Sequence, residues 1–452
     1  MPTGSEKPQE LLVVAESRVL QRDGVRKRLQ SVPAVIHSLA AGRKASLEDD
    51  ILQAVDEAHC GWVLVLLDAA AKSQSAIISQ LMLAGVDDVI PVNGKADLTT
   101  IGHALTQAAT TLALSEKIAA SGNLCGDSRA MCAVRKAIAI GVQSRKLSVL
   151  ILGETGTGKG QVAKAMHTVD AKRHKYPFHT LDCGGITDAL FGSELFGHVR
   201  GAYTGALNNR RGAFECADRG TLLLDEVGEL SLPTQSYLLN APQERSYRPV
   251  GADKSMPIHC RFVAATNRQL ADDIEQRRFR RDLFYRLNGF SIHVPALRDH
   301  ATDIPDLFCR FVAAARAAEA SAVTLEPAVV DALQDYRFPG NVRELETIAQ
   351  YAAVRMGTED HVRLAHLPLA RMHAPAAPAS ELMPVELMVR NGMKMREIES
   401  EVTRQATTAA LRMWAARQPH ASRTDVVNEV ARSLGVSPRT IYNKLNGADN
   451  PT

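Results

Sequence analysis

The sequence predicts an α/β protein that ends in an all-α module, and three observations carry that prediction. From Leu11 to Leu114, short apolar runs alternate with helix-patterned segments. Residues 148–169 read as an apolar strand, a glycine-rich loop and a helix. Residues 421–447 read as a helix, a glycine turn and a short second helix.

The N-terminal runs LLVVA (11–15), AVIHSLA (34–40), WVLVLL (62–67) and VDDVIPV (86–92) have the length and β-branched content of buried strands. With helices between them they predict a small parallel sheet covered by helices. The helix that follows carries Leu98, Ile101, Leu105, Ala108 and Leu112 at alternating spacings of three and four. Such a stripe suits packing on the helix's own sheet and a dimerising linker helix equally.

The whole chain has 452 residues, 45% hydrophobic and 23% charged, which fits several globular domains with real cores. A net charge of +3 is too small to mark a nucleic-acid binder by itself, so any DNA contact needs a local element. Seven scattered cysteines form no C-x-x-C pair, which reads as reduced core thiols in a cytoplasmic protein. The polar start MPTGSEKPQE is no secretory signal, and no run reaches the roughly 18 apolar residues of a membrane span.

The segment SVLILGETGTGKG (148–160) has phosphate-loop spacing in Gly153, Gly158 and Lys159. Glycines let backbone N–H groups curl around phosphates, a lysine reaches the β and γ oxygens, and the following helix adds its positive N-terminus. The expected ATP-binding residues are Gly153, Glu154, Thr155, Gly156, Thr157, Gly158, Lys159 and Gly160. GTLLLDEVGEL (220–230) then delivers two acids at a strand end. Asp225 suits a magnesium ion and Glu226 suits polarising an attacking water.

Between these motifs lies SELFGHVRGAYTGA (193–206), which resembles the GAFTGA loop of the sigma-54-dependent activators, the bacterial enhancer-binding branch of the AAA+ ATPases. The resemblance covers about 250 residues in family order. It implies that Gly201, Ala202, Tyr203, Thr204, Gly205 and Ala206 form a loop contacting sigma-54. VAATNRQL (263–270) is similar to the first sensor, with Asn267 near the γ-phosphate. FRRDLFYRL (279–287) resembles the arginine-finger segment, which implies that Arg280 and Arg286 reach a neighbouring subunit's nucleotide. FPGNVREL (338–345) resembles the second sensor, with Arg343 acting in cis. PALRDH (295–300) and GDSRAMCAVRKAI (126–138) also resemble family segments.

Four positions depart from the family pattern. Gly160 follows the lysine where the family has Glu, and Tyr203 replaces a phenylalanine. Asp182 stands in PFHTLDC where the family has an asparagine that hydrogen-bonds Glu226; an ionised aspartate lacks the amide donor and repels that glutamate. Pro242 falls where the family has an uninterrupted helix.

At the C-terminus, Arg423–Leu434 is amphipathic, Gly435 stops it, and Ser437 and Pro438 open a second helix. The pattern resembles a Fis-type helix-turn-helix, which implies DNA contacts from Arg439, Thr440, Tyr442, Asn443 and Lys444. The N-terminal zone resembles a response-regulator receiver in degenerate form. Asp68 ends a strand at the phosphorylation position, but the acidic pair reads Ala15-Glu16, the receiver lysine is missing, and the zone is one strand–helix unit short. Asp68 is therefore expected to be a strand-end aspartate rather than a phosphoacceptor. The resemblance offers a small nucleotide such as cyclic di-GMP as one candidate signal, and no motif specifies it.

The expected architecture is thus a receiver-like βα domain with a linker helix (1–118), an AAA+ P-loop α/β ATPase with a helical lid (123–370), an Ala/Pro-rich linker (371–392) and an all-α helix-turn-helix (393–452). The expected function is ATP-driven remodelling of sigma-54 RNA polymerase by a homo-oligomer, dimer to hexamer, bound to upstream double-stranded DNA, with ATP and Mg2+ as cofactors and no membrane. The alternative is a DNA-binding regulator that uses nucleotide only as a ligand, or works with the ordinary sigma factor.

Overall fold

The computed structural model describes residues 11–372 apart from 22, 31–33, 40–50, 52–60, 69–73, 84, 93–96, 123, 145–146, 245, 317–322 and 358. The helix-turn-helix reading, with Arg439, Thr440, Tyr442, Asn443 and Lys444, lies outside the described residues, as does nearly all of the expected linker. The chain divides into two compact units, Met1–Pro368 and Leu369–Thr452, and of the second only the helical turn Leu369–Met372 is described.

The first sheet contains β1 (Leu11–Glu16), β2 (Ala34–Leu39), β3 (Trp62–Asp68) and β4 (Asp88–Val92) in the order β2-β1-β3-β4, all parallel. Its strands are near-continuous apolar runs because both faces are covered. On one face Val13, Ala15, Leu64 and Leu66 pack with Ile101, Leu105, Ala108 and Leu112 of the long helix α1 (Asp97–Ala120). On the other face Leu12, Val14, Val63 and Val65 pack with Ile51, Leu81 and Val86. The stripe of α1 thus faces its own sheet, with Leu98 partly buried against it. Asp68 ends β3 opposite Val92 in register.

The helix does not stop with that core. Farther along α1, Ile118 is buried in a second core and Leu114 packs on it, while Ile140 of α2 (Arg129–Gln143) packs back on the first. Gln143 Nε2 donates to the buried Thr111 Oγ1 at 3.0 Å. Asp87 accepts from the Val63 N–H at 2.8 Å and pairs with Lys136 at 2.9 Å, and that ammonium lies 5.9 Å from the Trp62 ring centroid. A half-buried ion pair and a cation–π contact therefore reinforce an apolar joint.

The second sheet contains β5 (Val149–Leu152), β6 (Phe178–Asp182), β7 (Thr221–Asp225), β8 (Arg261–Thr266) and β9 (Phe290–His293), again parallel, in the order β9-β5-β8-β7-β6. One face packs on α2 and α3 (Lys159–Val169), through Ile138, Val162 and Met166. The other packs through Leu222, Leu224 and Phe262 on Phe191 of α4 (Asp188–Phe196) and on Phe214. Arg261, 3% exposed, donates to the carbonyls of Gly141, Val142 and Ser144 at the end of α2 and pairs with Asp170 at 3.6 Å. A cation there satisfies orphan carbonyls at a helix C-terminus. Burial lowers its pKa to about 10 even so, against the opposing pull of Asp170.

Helix α5 (Leu232–Glu244) runs through Pro242, so that proline takes away a backbone donor without ending the helix there. After α6 (Arg281–Leu287), a lid of three helices follows: α7 (Ile304–Ala315), α8 (Pro327–Asp335) and α9 (Asn341–Met356). Among the described cysteines, Cys125, Cys183, Cys216, Cys260 and Cys309 are free. Among the described residues no helix is long and apolar enough to cross a membrane.

Candidate active site

The parallel strands of the second sheet all end at one edge, and that edge collects the chemistry. After β5 the chain turns through residues 153–158 into α3, whose first residue is Lys159. Gly156 (φ 81°) and Gly158 (φ 93°) both take the left-handed region. A Cβ on Gly156 would run into the Gly340 carbonyl, so glycine is needed there for space as well as for backbone angle. Gly160 has open space where a Cβ would stand, so nothing at that point of the backbone requires glycine.

Lys159 is 6% exposed, and its ammonium donates to the carbonyls of Gly153 and Glu154, each at 3.0 Å. Burial lowers its pKa; the Glu226 and Asp225 carboxylates oppose this, and Arg343 adds to it. Those influences place Glu226, Asp225 and Arg343 within electrostatic reach of Lys159. Thr157 Oγ1 donates to the Glu154 carbonyl at 2.9 Å, and Asn267, just past β8, donates through Nδ2 to Thr155 Oγ1 at 2.8 Å.

Asp225 ends β7, with its carboxylate accepting from the Glu226 N–H at 3.0 Å. Glu226 itself takes a left-handed conformation, φ 56°, rare for a side chain of this size and often found at functional sites. Asp182 ends β6 directly opposite Asp225. Its Oδ1 accepts from the Gly184 N–H at 3.0 Å, which gives the carboxylate a local donor. Burial pushes the pKa of the adjacent Cys183 thiol up, and the carboxylates of Asp182, Asp225 and Glu226 push it further.

Glu154 does something its place in the loop does not suggest. Its carboxylate accepts from both terminal guanidinium nitrogens of Arg298, at 2.9 and 2.5 Å, and from Asn341 Nδ2 at 3.1 Å. The Arg298 hydrogen bonds, then that of Asn341, lower its pKa to about 2. Asn341 is fully buried; Nδ2 also donates to the Thr155 carbonyl at 3.0 Å, and Oδ1 accepts from the Leu297 N–H at 2.9 Å. Two residues on, the Arg343 N–H donates to the Gly156 carbonyl at 3.2 Å. Sequence reasoning assigned Arg343 and missed Asn341 and Arg298. The available signal was an asparagine two residues before the assigned arginine.

The loop at 201–206 is carried on a separate short ladder that pairs Gly197–His198 with Arg210–Arg211. Gly201 (φ 82°) and Gly205 (φ 103°) turn it, and the Gly201 N–H closes it on the Ala206 carbonyl at 2.9 Å. The Tyr203 ring, 43% exposed, meets the buried His198 edge to face at 5.1 Å, and His198 Nδ1 lies 2.7 Å from Ser193 Oγ. Thr204 is exposed beside it. The chain around Val250 pairs with the base of this loop, through Val199 N–H to Val250 O and Val250 N–H to Gly197 O.

Arg280 caps the start of α6, half-buried, paired with Asp282 at 2.8 Å and donating to Ser236 Oγ at 3.2 Å. Arg286 lies in the last turn of the same helix, and its Nη1 is buried without a hydrogen-bond partner among the described residues. Neither arginine is hydrogen-bonded to the phosphate loop of its own chain among the described residues.

Comparison with known proteins gives the following. Residues 124–293 match the Sigma-54 interaction domain, and residues 298–381 match the AAA+ ATPase lid domain. The chain is 36% identical over 386 residues to the transcriptional regulatory protein ZraR of Klebsiella oxytoca, covering 84% of this chain and 82% of that protein. It is 41% identical over 326 residues to the anaerobic nitric oxide reductase transcription regulator NorR of Salmonella arizonae, covering 70% of this chain and 63% of that one. The matched stretch thus spans less than two thirds of the NorR relatives. The crystal structure of NtrX from Brucella abortus shares the fold, with a TM-score of 0.50 and 23% identity, over 96% of this chain and 98% of that one.

Proposed function

Since the chain belongs to the sigma-54-dependent transcriptional regulators, we propose that it binds ATP at the second sheet's edge and spends the hydrolysis on moving the Tyr203–Thr204 loop against sigma-54 RNA polymerase. One observation carries the reading. The phosphate loop, Asp225–Glu226, Asn267 and Arg343 meet at one sheet edge, while the glycine-hinged loop is carried on a two-stranded ladder outside that sheet.

The donor set fits a nucleoside triphosphate. Left-handed glycines shape the loop, a Cβ at Gly156 would meet the Gly340 carbonyl, and a buried ammonium lies within electrostatic reach of two carboxylates. Among the described residues no group of three or more His, Cys, Asp or Glu can hold a metal. When bound, Mg2+ would neutralise phosphate charge, with Asp225 as its protein ligand. Lys159 binds the β and γ oxygens, and doing so means exchanging its two loop carbonyls for phosphate. Glu226 orients the attacking water, and Asn267 marks the γ position through Thr155. Arg280 and Arg286 serve a neighbouring subunit, which makes a ring the working form.

We assign 1–118 to regulation, 123–370 to the ATPase and 393–452 to DNA binding, the last through Arg439, Thr440, Tyr442, Asn443 and Lys444 at upstream double-stranded sites. The place of work is the cytoplasm. Cyclic di-GMP is the effector to try first, by titrating it into the ATPase assay; an unchanged rate removes it. A second reading, nucleotide as ligand only, draws on Asp182, which replaces the amide expected beside Glu226.

Transcription in vitro from a sigma-54 promoter decides between them. ATP-dependent transcripts that vanish with Lys159→Ala and with Thr204→Ala are the expected result. Intact DNA binding with no such transcripts, and altered output from the ordinary sigma factor, would overturn the remodelling reading.

A further inference from the structure

The segment 338–343 joins the lid to the phosphate loop and carries more conformational constraint than packing needs. Phe338 (φ 46°) and Asn341 (φ 51°) are both left-handed, and both are fully buried. Asparagine tolerates this region better than most side chains, yet two such residues so close together persist only where the surroundings fix them. Asn341 is fixed by four partners. Its Nδ2 spans Glu154 Oε2 and the Thr155 carbonyl, its Oδ1 holds the Leu297 N–H, and its own N–H donates to the Phe338 carbonyl at 2.8 Å. The side-chain bonds reach across the fold to residues 154–155 and 297, and the lid helix α9 starts at Asn341 itself.

We propose that Asn341 is a positioning residue for nucleotide binding: by bridging Glu154, Thr155 and Leu297 it sets where Arg343 stands relative to Lys159, so that the lid follows the state of the phosphate loop. The inference rests on the ATP-binding reading above. Three consequences are chemical. The Glu154 carboxylate serves the lid rather than the nucleotide, through Arg298 and Asn341. Thr155 is held on two sides, its carbonyl by Asn341 and its hydroxyl by Asn267, so the lid and the end of β8 read the same residue. Gly156 contacts the lid by backbone alone, its carbonyl taking the Arg343 N–H. Any shift of the loop as phosphate replaces the carbonyls around Lys159 is thereby carried to α9.

The test uses the full chain and an ATP analogue fluorescent on the ribose. Asn341→Asp keeps the acceptor for Leu297, removes both donors and sets a second carboxylate against Glu154. Relative to wild type at the same pH, it is expected to bind at least about 10-fold more weakly at pH 7.5. Much of that loss should return at pH 5.5, where the two carboxylates share a proton, and also in Asn341→Asp/Glu154→Gln at pH 7.5. A purely structural role would give a loss that neither acid nor Glu154→Gln relieves, and that result would overturn the inference. Wild-type binding by Asn341→Asp at both pH values would overturn it too. Should circular dichroism show Asn341→Asp unfolded, Glu154→Ala carries the test. It removes the acceptor without adding charge, and binding weakened about fivefold or more supports the proposal while unchanged binding defeats it. Failure of the wild type to bind the analogue defeats the ATP reading itself, a result separate from any variant's behaviour.

Discussion

At the scale of single residues, geometry and charge at the sheet edge give three expectations. Gly156→Ala meets both a left-handed backbone and the Gly340 carbonyl, so a loss of about 2–4 kcal/mol in chemical denaturation is expected. Asp182→Asn restores an amide beside Glu226; phosphate release should rise about threefold to tenfold, a barrier change of up to about 1.4 kcal/mol. An unchanged rate would mean that the Gly184 N–H already neutralises the effect of the carboxylate. For Glu154 the folded pKa of about 2 lies below its unfolded value near 4.3. Its contribution is therefore fully present above the unfolded value and fades as pH falls from about 4 towards 2. Glu154→Gln should flatten that part of the stability–pH curve, measured by denaturant midpoints at each pH. The sequence made Lys159, Asp225 and Glu226 legible because each sits at a fixed offset from a strand end. It left Asn341 illegible because its partner Glu154 is 187 residues away, and no local spacing encodes such a contact.

At the scale of elements, two readings show where pattern stops informing. The stripe Leu98–Leu112 suited a sheet and a dimer equally, because both want one apolar face every three or four residues. Burial of Ile101, Leu105, Ala108 and Leu112 against β1 and β3 decides for the sheet. Pro242 predicts a costly kink in its helix, and α5 continues past it to Glu244, since a proline removes one donor while tertiary contacts can hold the remaining turns. Pro242→Ala should restore that hydrogen bond and raise stability by up to about 3 kcal/mol, read as a higher melting temperature. A fall in melting temperature would mean that the proline's fixed φ is used rather than merely tolerated.

At the scale of the whole molecule, the strand and helix order of the first two domains was readable, whereas the relation between them was not. It depends on α1 entering both cores and on Asp87 meeting Lys136, contacts that link separate patterns. A helix owned by two cores has a thermodynamic consequence. The N-terminal sheet cannot lose its cover without stripping Ile118 from its neighbour, so the two are expected to melt as one cooperative unit rather than as beads on a string. Scanning calorimetry should record a single endotherm for this pair, with calorimetric and van't Hoff enthalpies in agreement. Asp87→Ala together with Ile118→Ala should split it in two. A signal received by the first sheet would then spread as a change in shared stability, with no hinge to swing.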